Sequence, residues 1–266
     1  MREPIHQRAA LGVFATLLGA LLGAGPALAA EETAYGRLLA NHVRPGTVSG
    51  IDLNLVDYDA VAKDPDYQRA LADFASARPG DLATEDERFA FWANAYNLLA
   101  IKTIVDRRPI ASIKDGGNFL FPIWKKKVGT VAGKEYSLDE IEHGILRAEF
   151  DEPRVHFAVV CASLSCPDLR AEPYDGTRLG QQLDDQTALF LANRTKGLRP
   201  GKDGTSAEVS SIFKWFGDDF TAAGGVAAFV RGKSDPATAR AVAGLTDGGI
   251  SYLDYDWSLN DTARAK

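Results

Sequence analysis

The stretch from Arg88 to Asp106, RFAFWANAYNLLAIKTIVD, is apolar around most of a helical circumference. Phe89, Trp92, Tyr96, Leu99 and Thr103 form one stripe at helical spacing, and Ala90, Asn94, Asn97, Ile101 and Ile104 form a second. A helix with two such stripes has no face to give to water, so the rest of the chain must be built around it. Thr84-Glu85-Asp86-Glu87 supplies a capping box at its start, in which the threonine hydroxyl and the glutamate carboxylate satisfy amide donors that a helix leaves open. Asn94 and Asn97 then fall in the interior, where each amide requires partners or costs about 1–3 kcal/mol.

The other elements are shorter. Tyr35–Val43 and Asp66–Ala77 read as helices, the second opened by Pro65 and closed by Arg78-Pro79-Gly80. Ile51, Leu53 and Leu55 alternate as in a strand. Ser137 and Glu140 repeat the capping box ahead of LDEIEHGILRAEF, a helix that places His143 on a partly buried stripe. Arg154–Cys161 reads as a buried, valine-rich strand, and Thr177–Leu191 as an amphipathic helix. A turn at RPGKDGT leads to a strand at Ala207–Ser210. Helices follow around Ile212–Phe220 and Pro236–Leu245, and a final strand tucks Tyr252 and Trp257 onto the body. The expectation is an α+β fold, mostly helical, with a small sheet and no βαβ repeat.

The amino terminus bears on location. Arg2 and Arg8 precede an apolar run from Ala9 to Ala24, and Ala27-Leu28-Ala29 offers a small-x-small cleavage pattern. This is the layout of a secretory signal peptide, too short in its apolar core for a membrane anchor. Residues 1–29 are therefore expected to be removed. An exported, periplasmic or secreted domain over residues 30–266 would remain, without a stable membrane anchor. Losing those residues takes the formal charge from −6 to −7. An acidic chain with one short basic run, Trp124–Gly129, argues against nucleic acid as a partner. A small-molecule or peptide ligand is the expected partner.

RVHFAVVCASLSCPDLR, Arg154 to Arg170, holds both cysteines and one of four histidines. Cys161 and Cys166 could bridge in an oxidising compartment, although so short a loop would add little stability. Cys161 could instead be a nucleophile at a strand end, beside backbone amides able to receive an oxyanion. His143, on the preceding helix, is then the better base. Strand alternation would point His156 and Cys161 to opposite faces. Taken singly, either imidazole is more readily a core residue hydrogen-bonded to a backbone carbonyl. The spacing His143-x12-His156-x4-Cys161-x4-Cys166 fits no familiar short-loop zinc pattern, and neither a metal nor an organic cofactor is expected.

FWANAYN, IEHGILR, VHFAVVCASLSCPDLR, VSSIFKWFGDDF and YDWSLN occur in an order that resembles the DUF547 family, a domain of unknown function, from about Val56 to Asn260. The resemblance marks Trp92, Asn94, Tyr96, Asn97, His143 and Cys161 as the family's steady features, with His156 and Cys166 as looser ones. It also implies an outline similar to papain-like and transglutaminase-like enzymes. In those, however, the cysteine begins the central helix and the histidine follows it. Two functions fit. One is a cysteine-dependent hydrolase or acyl transferase with a Cys161–His143 pair, Asn97 or Asn94 orienting the imidazole or the oxyanion. The other is a non-catalytic ligand- or protein-binding module whose Asn, His and Cys residues form a structural hydrogen-bond network. A thiol-redox role for Cys161 and Cys166 ranks third, since C-x4-C lacks the short loop of the familiar C-x-x-C oxidoreductases.

Overall fold

Shorter helical and strand segments gather around one long helix in the computed structural model, which describes residues 30–117 and 122–265. The expected signal peptide lies outside the described residues. In chain order, α1 (Ala34–His42) leads into a hairpin of β1 (Val43–Val48) and β2 (Ile51–Val56), then α2 (Tyr58–Val61), α3 (Pro65–Ser76) and the long α4 (Glu85–Val105). Ser49 and Gly50 close the hairpin with positive φ angles of 54° and 78°, as a tight two-residue turn requires. A second hairpin, β3 (Gly129–Val131) and β4 (Lys134–Tyr136), precedes α5 (Leu138–Ile141).

The helix begun by α5 continues through a wide π turn, Glu142–Leu146, into α6 (Arg147–Glu149). α7 (Val155–Ala158) and α8 (Leu179–Ala192) follow. The last third of the chain holds a three-stranded sheet of β5 (Leu198–Pro200), β6 (Ala207–Val209) and β7 (Ile250–Tyr252), with β6 and β7 parallel. Between β6 and β7 lie α9 (Ile212–Trp215), a 3-10 stretch Gly217–Ala223, α10 (Val226–Lys233) and α11 (Pro236–Ala241). The fold is α+β and mostly helical, with separate small sheets in place of one.

The capping box at Thr84 forms as the sequence requires, and α4 is buried along both of its stripes. Its residues anchor the larger apolar cluster, which also takes in Leu138, Ile141 and Val159. A second cluster, rich in phenylalanine, joins Phe157 and Phe190 to Phe213, Phe220 and Phe229. Trp92 is structural: it packs edge-on against Phe91 and Tyr136. Tyr252, expected to tuck inward, is 42% exposed on β7.

The expected strand over Arg154–Cys161 does not form. Its first half is the single turn of α7, and the extended segment that follows has Asn97 where a neighbouring strand would be. The Asn97 amide donates to the Ala158 carbonyl at 2.9 Å and accepts from the Val160 N–H at 2.9 Å. Asn94 does the same to another segment, donating to the Tyr174 carbonyl at 2.8 Å and accepting from its N–H at 2.9 Å. Each side chain thus imitates one residue of strand pairing, which is how a buried amide on a central helix becomes satisfied.

Candidate functional site

Cys161 follows directly from the Asn97 clamp. Its neighbour Ala162 has φ +58°, a left-handed conformation that costs an L-residue about 1–2 kcal/mol. The surrounding backbone imposes it. Asn260 N–H donates to the Ala162 carbonyl at 3.1 Å, and Leu164 N–H donates to the Ser258 carbonyl at 2.8 Å. The carboxy-terminal segment therefore laces the Cys161 loop from one side while α4 holds it from the other. Non-glycine strain of this kind next to a reactive atom is characteristic of functional sites.

The Cys161 sulfur meets three polar groups. Ser163 Oγ lies at 3.0 Å, Tyr255 Oη at 3.2 Å and the Cys166 sulfur at 2.8 Å. Both cysteines are free thiols. Burial opposes ionisation of Cys161, but hydrogen bonds from Cys166, Ser163 and Tyr255 outweigh it and lower the thiol to about 7. Burial raises both Cys166 and Tyr255 well above their ordinary values, so each keeps its proton and serves as a donor to the Cys161 thiolate. The Cys161 N–H is spent on the Cys166 sulfur at 2.8 Å, and Leu164 and Ser165 N–H on the backbone of Ser258 and Asp256. The amides of Cys161, Leu164 and Ser165 are thus already engaged, and the Ser163 and Tyr255 hydroxyls are the donors that stand at the sulfur.

Both histidines face the same cavity as Cys161, a space of about 180 Å³ along the seam between the two apolar clusters. His156 sits on a helical turn and not on the expected strand, so strand alternation does not separate it from Cys161. His156 Nε2 lies 2.7 Å from Asp219 Oδ2, and its ring stacks on Phe216 at 4.2 Å. Arg147 donates to both oxygens of Asp219, at 2.6 and 2.7 Å. These bonds, with Arg147 first, hold the Asp219 carboxyl down to about 2. An ionised carboxylate only accepts, so His156 carries its proton on Nε2. Burial lowers His156 to about 4, more than Asp219 raises it. At neutral pH it is an uncharged, buried ring.

His143 was expected to be partly buried, yet its side chain is 38% exposed. The π turn accounts for this by swinging Glu142 and His143 away from the register of a regular helix. His143 Nδ1 accepts from Arg147 Nη1 at 2.9 Å, and Nε2 stands 3.9 Å from Asp139 Oδ1. No hydrogen bond joins either imidazole to Cys161 among the described residues. Asn94 and Asn97 make their hydrogen bonds to backbone, and none joins them to an imidazole or to Cys161 among the described residues. They position the loops around the site.

Glu142 is the group that residue-by-residue reading passed over, though it stands in IEHGILR. Tyr96 Oη donates to Glu142 Oε2 at 3.1 Å. Burial raises the Glu142 carboxyl, and the nearby Cys161 charge adds to that, against lowering by His143 and the Tyr96 hydrogen bond. Asp219 and Tyr255 were likewise inside quoted motifs, VSSIFKWFGDDF and YDWSLN, without being singled out. Their signal was the presence of a polar residue among aromatics far from the cysteine.

The His156–Asp219 pair implies a pH-dependent stability. Unfolding returns His156 from about 4 to 6.5, so between those values the unfolded chain binds more protons and stability falls as pH falls. The expected loss is about 3 kcal/mol across that window. Asp219 contributes no slope there, since its own stabilisation is lost only as pH falls below the ordinary carboxylate range toward about 2. Urea unfolding of the native protein and of His156→Gln at pH 7 and pH 4.5 tests this: the gap between the two proteins should shrink at the lower pH. A constant gap would remove His156 as the cause.

Among the described residues no group of three or more His, Cys, Asp or Glu side chains is placed to hold a metal ion, and no helix is long and apolar enough to cross a membrane. Fold and site together define a mostly helical α+β protein with a lowered thiol in an aromatic cavity. Residues 80–191 match the model of the DUF547 family, described as protein of unknown function, and that stretch of the chain is similar to it. That match takes in α4, both histidines of the cavity and both cysteines, and stops before Asp219, Tyr255 and Trp257. No curated protein and no solved structure matches the chain.

Proposed function

We propose that this protein is a cysteine-dependent hydrolase or acyl transferase in which Cys161 is the nucleophile. The observation that carries the reading is a thiol lowered to about 7 in a mostly apolar cavity, where burial alone would have raised it. Cys161 is displaced downward and Glu142 upward, which narrows the gap between a thiol and a carboxyl lining one cavity and suits Glu142 to take the thiol proton. In the first step the sulfur attacks a carbonyl carbon and a C–S bond forms. The carbonyl oxygen takes the negative charge, and the hydroxyls of Tyr255 and Ser163, released from the sulfur, turn to it. Collapse expels the leaving group, which takes a proton from Glu142. Water or another nucleophile then releases the acyl group. His143 stands beside Glu142 and tunes it, while His156, with Asp219 and Arg147, holds the wall behind. The signal-like segment before Ala30 supports a location outside the cytoplasm.

The test is acyl-enzyme trapping with p-nitrophenyl acetate, read by intact mass and peptide mapping. One acetyl group on Cys161, absent in Cys161→Ala, is expected. Glu142→Gln should slow turnover about 10²–10⁴-fold while leaving the fold intact. No acyl group on Cys161 would overturn the reading. A second reading, a non-catalytic binding module, draws support from Asn94 and Asn97, whose amides serve only as backbone clamps. It requires that Cys161 substitutions lower stability and leave no turnover to lose.

A further inference from the structure

The walls of this cavity differ in chemistry. One side is aromatic: Trp124, Trp215, Phe216, Tyr255 and Trp257. The rings are packed into a continuous group, with Trp215 stacked on Trp257 at 5.6 Å, Tyr255 4.5 Å from Trp257 and Trp124 6.0 Å from it. Trp215 nevertheless leaves 46% of its surface to solvent, unusual for so large an apolar side chain. The other side carries two carboxyls, Asp139 and Glu142. No lysine or arginine lines the space among the described residues. Arg147, beside this wall, is already paired with Asp219, donates to His143 and lies 5.0 Å over the Phe216 ring.

Aromatic faces carry negative potential and attract cations, most strongly when the contact is shielded from water. The protein already makes such a contact just outside the cavity, where Lys114 Nζ stands 4.9 Å over the Trp257 ring. Inside, rings and carboxyls face a common volume whose basic lining groups are two imidazoles, His143, 3.9 Å from Asp139, and His156, which is bonded to Asp219. An anionic ligand would meet the carboxyls of Asp139 and Glu142 with no lysine or arginine in the lining to offset them. A neutral one would leave the Glu142 carboxyl desolvated. An organic ammonium satisfies both walls together.

We infer that the cavity beside Cys161 binds the ammonium head group of a primary or methylated amine, held between the aromatic wall and Asp139 and Glu142. The inference rests on the proposed reading only in taking this cavity as the reactive one, and it names the class of substrate that site accepts. The size suits a head group and a short chain: about 180 Å³ encloses a small amine but no folded peptide.

The experiment uses the full mature chain carrying Cys161→Ala, so that acyl chemistry plays no part, and follows tryptophan fluorescence on titration. The probes are butylammonium, its neutral analogue 1-pentanol, and butyrate. Saturable butylammonium binding about tenfold or more tighter than 1-pentanol, with butyrate weakest, is the expected result. Glu142→Gln and Trp215→Ala should each weaken butylammonium several-fold without changing the 1-pentanol response. Trp215 is half exposed, so its replacement leaves the core undisturbed. Equal or tighter binding of 1-pentanol or butyrate, or indifference to both substitutions, would overturn the inference. Retained butylammonium binding alongside failed acetylation of Cys161 would sink the nucleophile and spare the ligand class; the reverse pattern would do the opposite.

Discussion

Iodoacetamide added to the native protein is expected to place one label, on Cys161, at a rate that rises with pH through a midpoint near 7. Only the thiolate reacts, so the rate follows its population. Two opposing effects set that population. Burial favours the neutral thiol, while the donors at 2.8, 3.0 and 3.2 Å favour the anion and prevail. A hydrogen bond to a charged group contributes about 1.5–3 kcal/mol, and one pH unit corresponds to about 1.4 kcal/mol. Tyr255→Phe and Ser163→Ala should therefore each move the midpoint upward by about one unit or more. Cys166, whose thiol burial pushes well up, should remain unlabelled until the protein unfolds. A midpoint in the ordinary cysteine range, or first labelling at Cys166, would contradict this arrangement. Absence of any label in unfolded, unreduced protein would mean that the two sulfurs had been oxidised to a bridge.

The second large effect is on stability. Asn97→Ala should destabilise the protein by roughly 2–5 kcal/mol, because it orphans the Ala158 carbonyl and the Val160 N–H together at about 1–3 kcal/mol each. Both groups lie in buried chain. Asn94→Ala should cost a similar amount by freeing Tyr174. The two should add, since they clamp different segments. Urea unfolding gives the stability, and iodoacetamide labelling gives the state of the site. In Asn97→Ala the native labelling midpoint should also rise, because the loop that presents Cys161 to its donors loses its anchor. A variant as stable as the parent but without acyl turnover would place Asn97 in the chemistry after all.

Much of this molecule is legible one residue at a time. The apolar circumference of α4, its capping box, the second capping box at Ser137 and the helices over residues 34–42, 65–76 and 179–192 all arise from local spacing, because helical contacts link residues three and four apart. The demand that Asn94 and Asn97 find partners was equally local, being a matter of where an amide can be buried. Who those partners were was not. Arg154–Cys161 has the composition of a strand, yet an asparagine amide occupies the place of its neighbour, and one turn of helix forms instead. That substitution alone brought His156 to the cavity of Cys161.

The reactive centre shows the same division. Sequence determined that a thiol, a histidine and a buried polar helix would lie within one stretch similar to a known family. Tertiary structure decided that Tyr255 would reach the sulfur from 94 residues away, that Asp219 would set the proton on His156, and that Glu142 would turn inward through a π turn. A side chain's own pattern encodes its burial, because burial depends on a helix face. Its proton affinity depends on which charges and donors lie within a few ångströms, and those arrive from wherever the chain folds back.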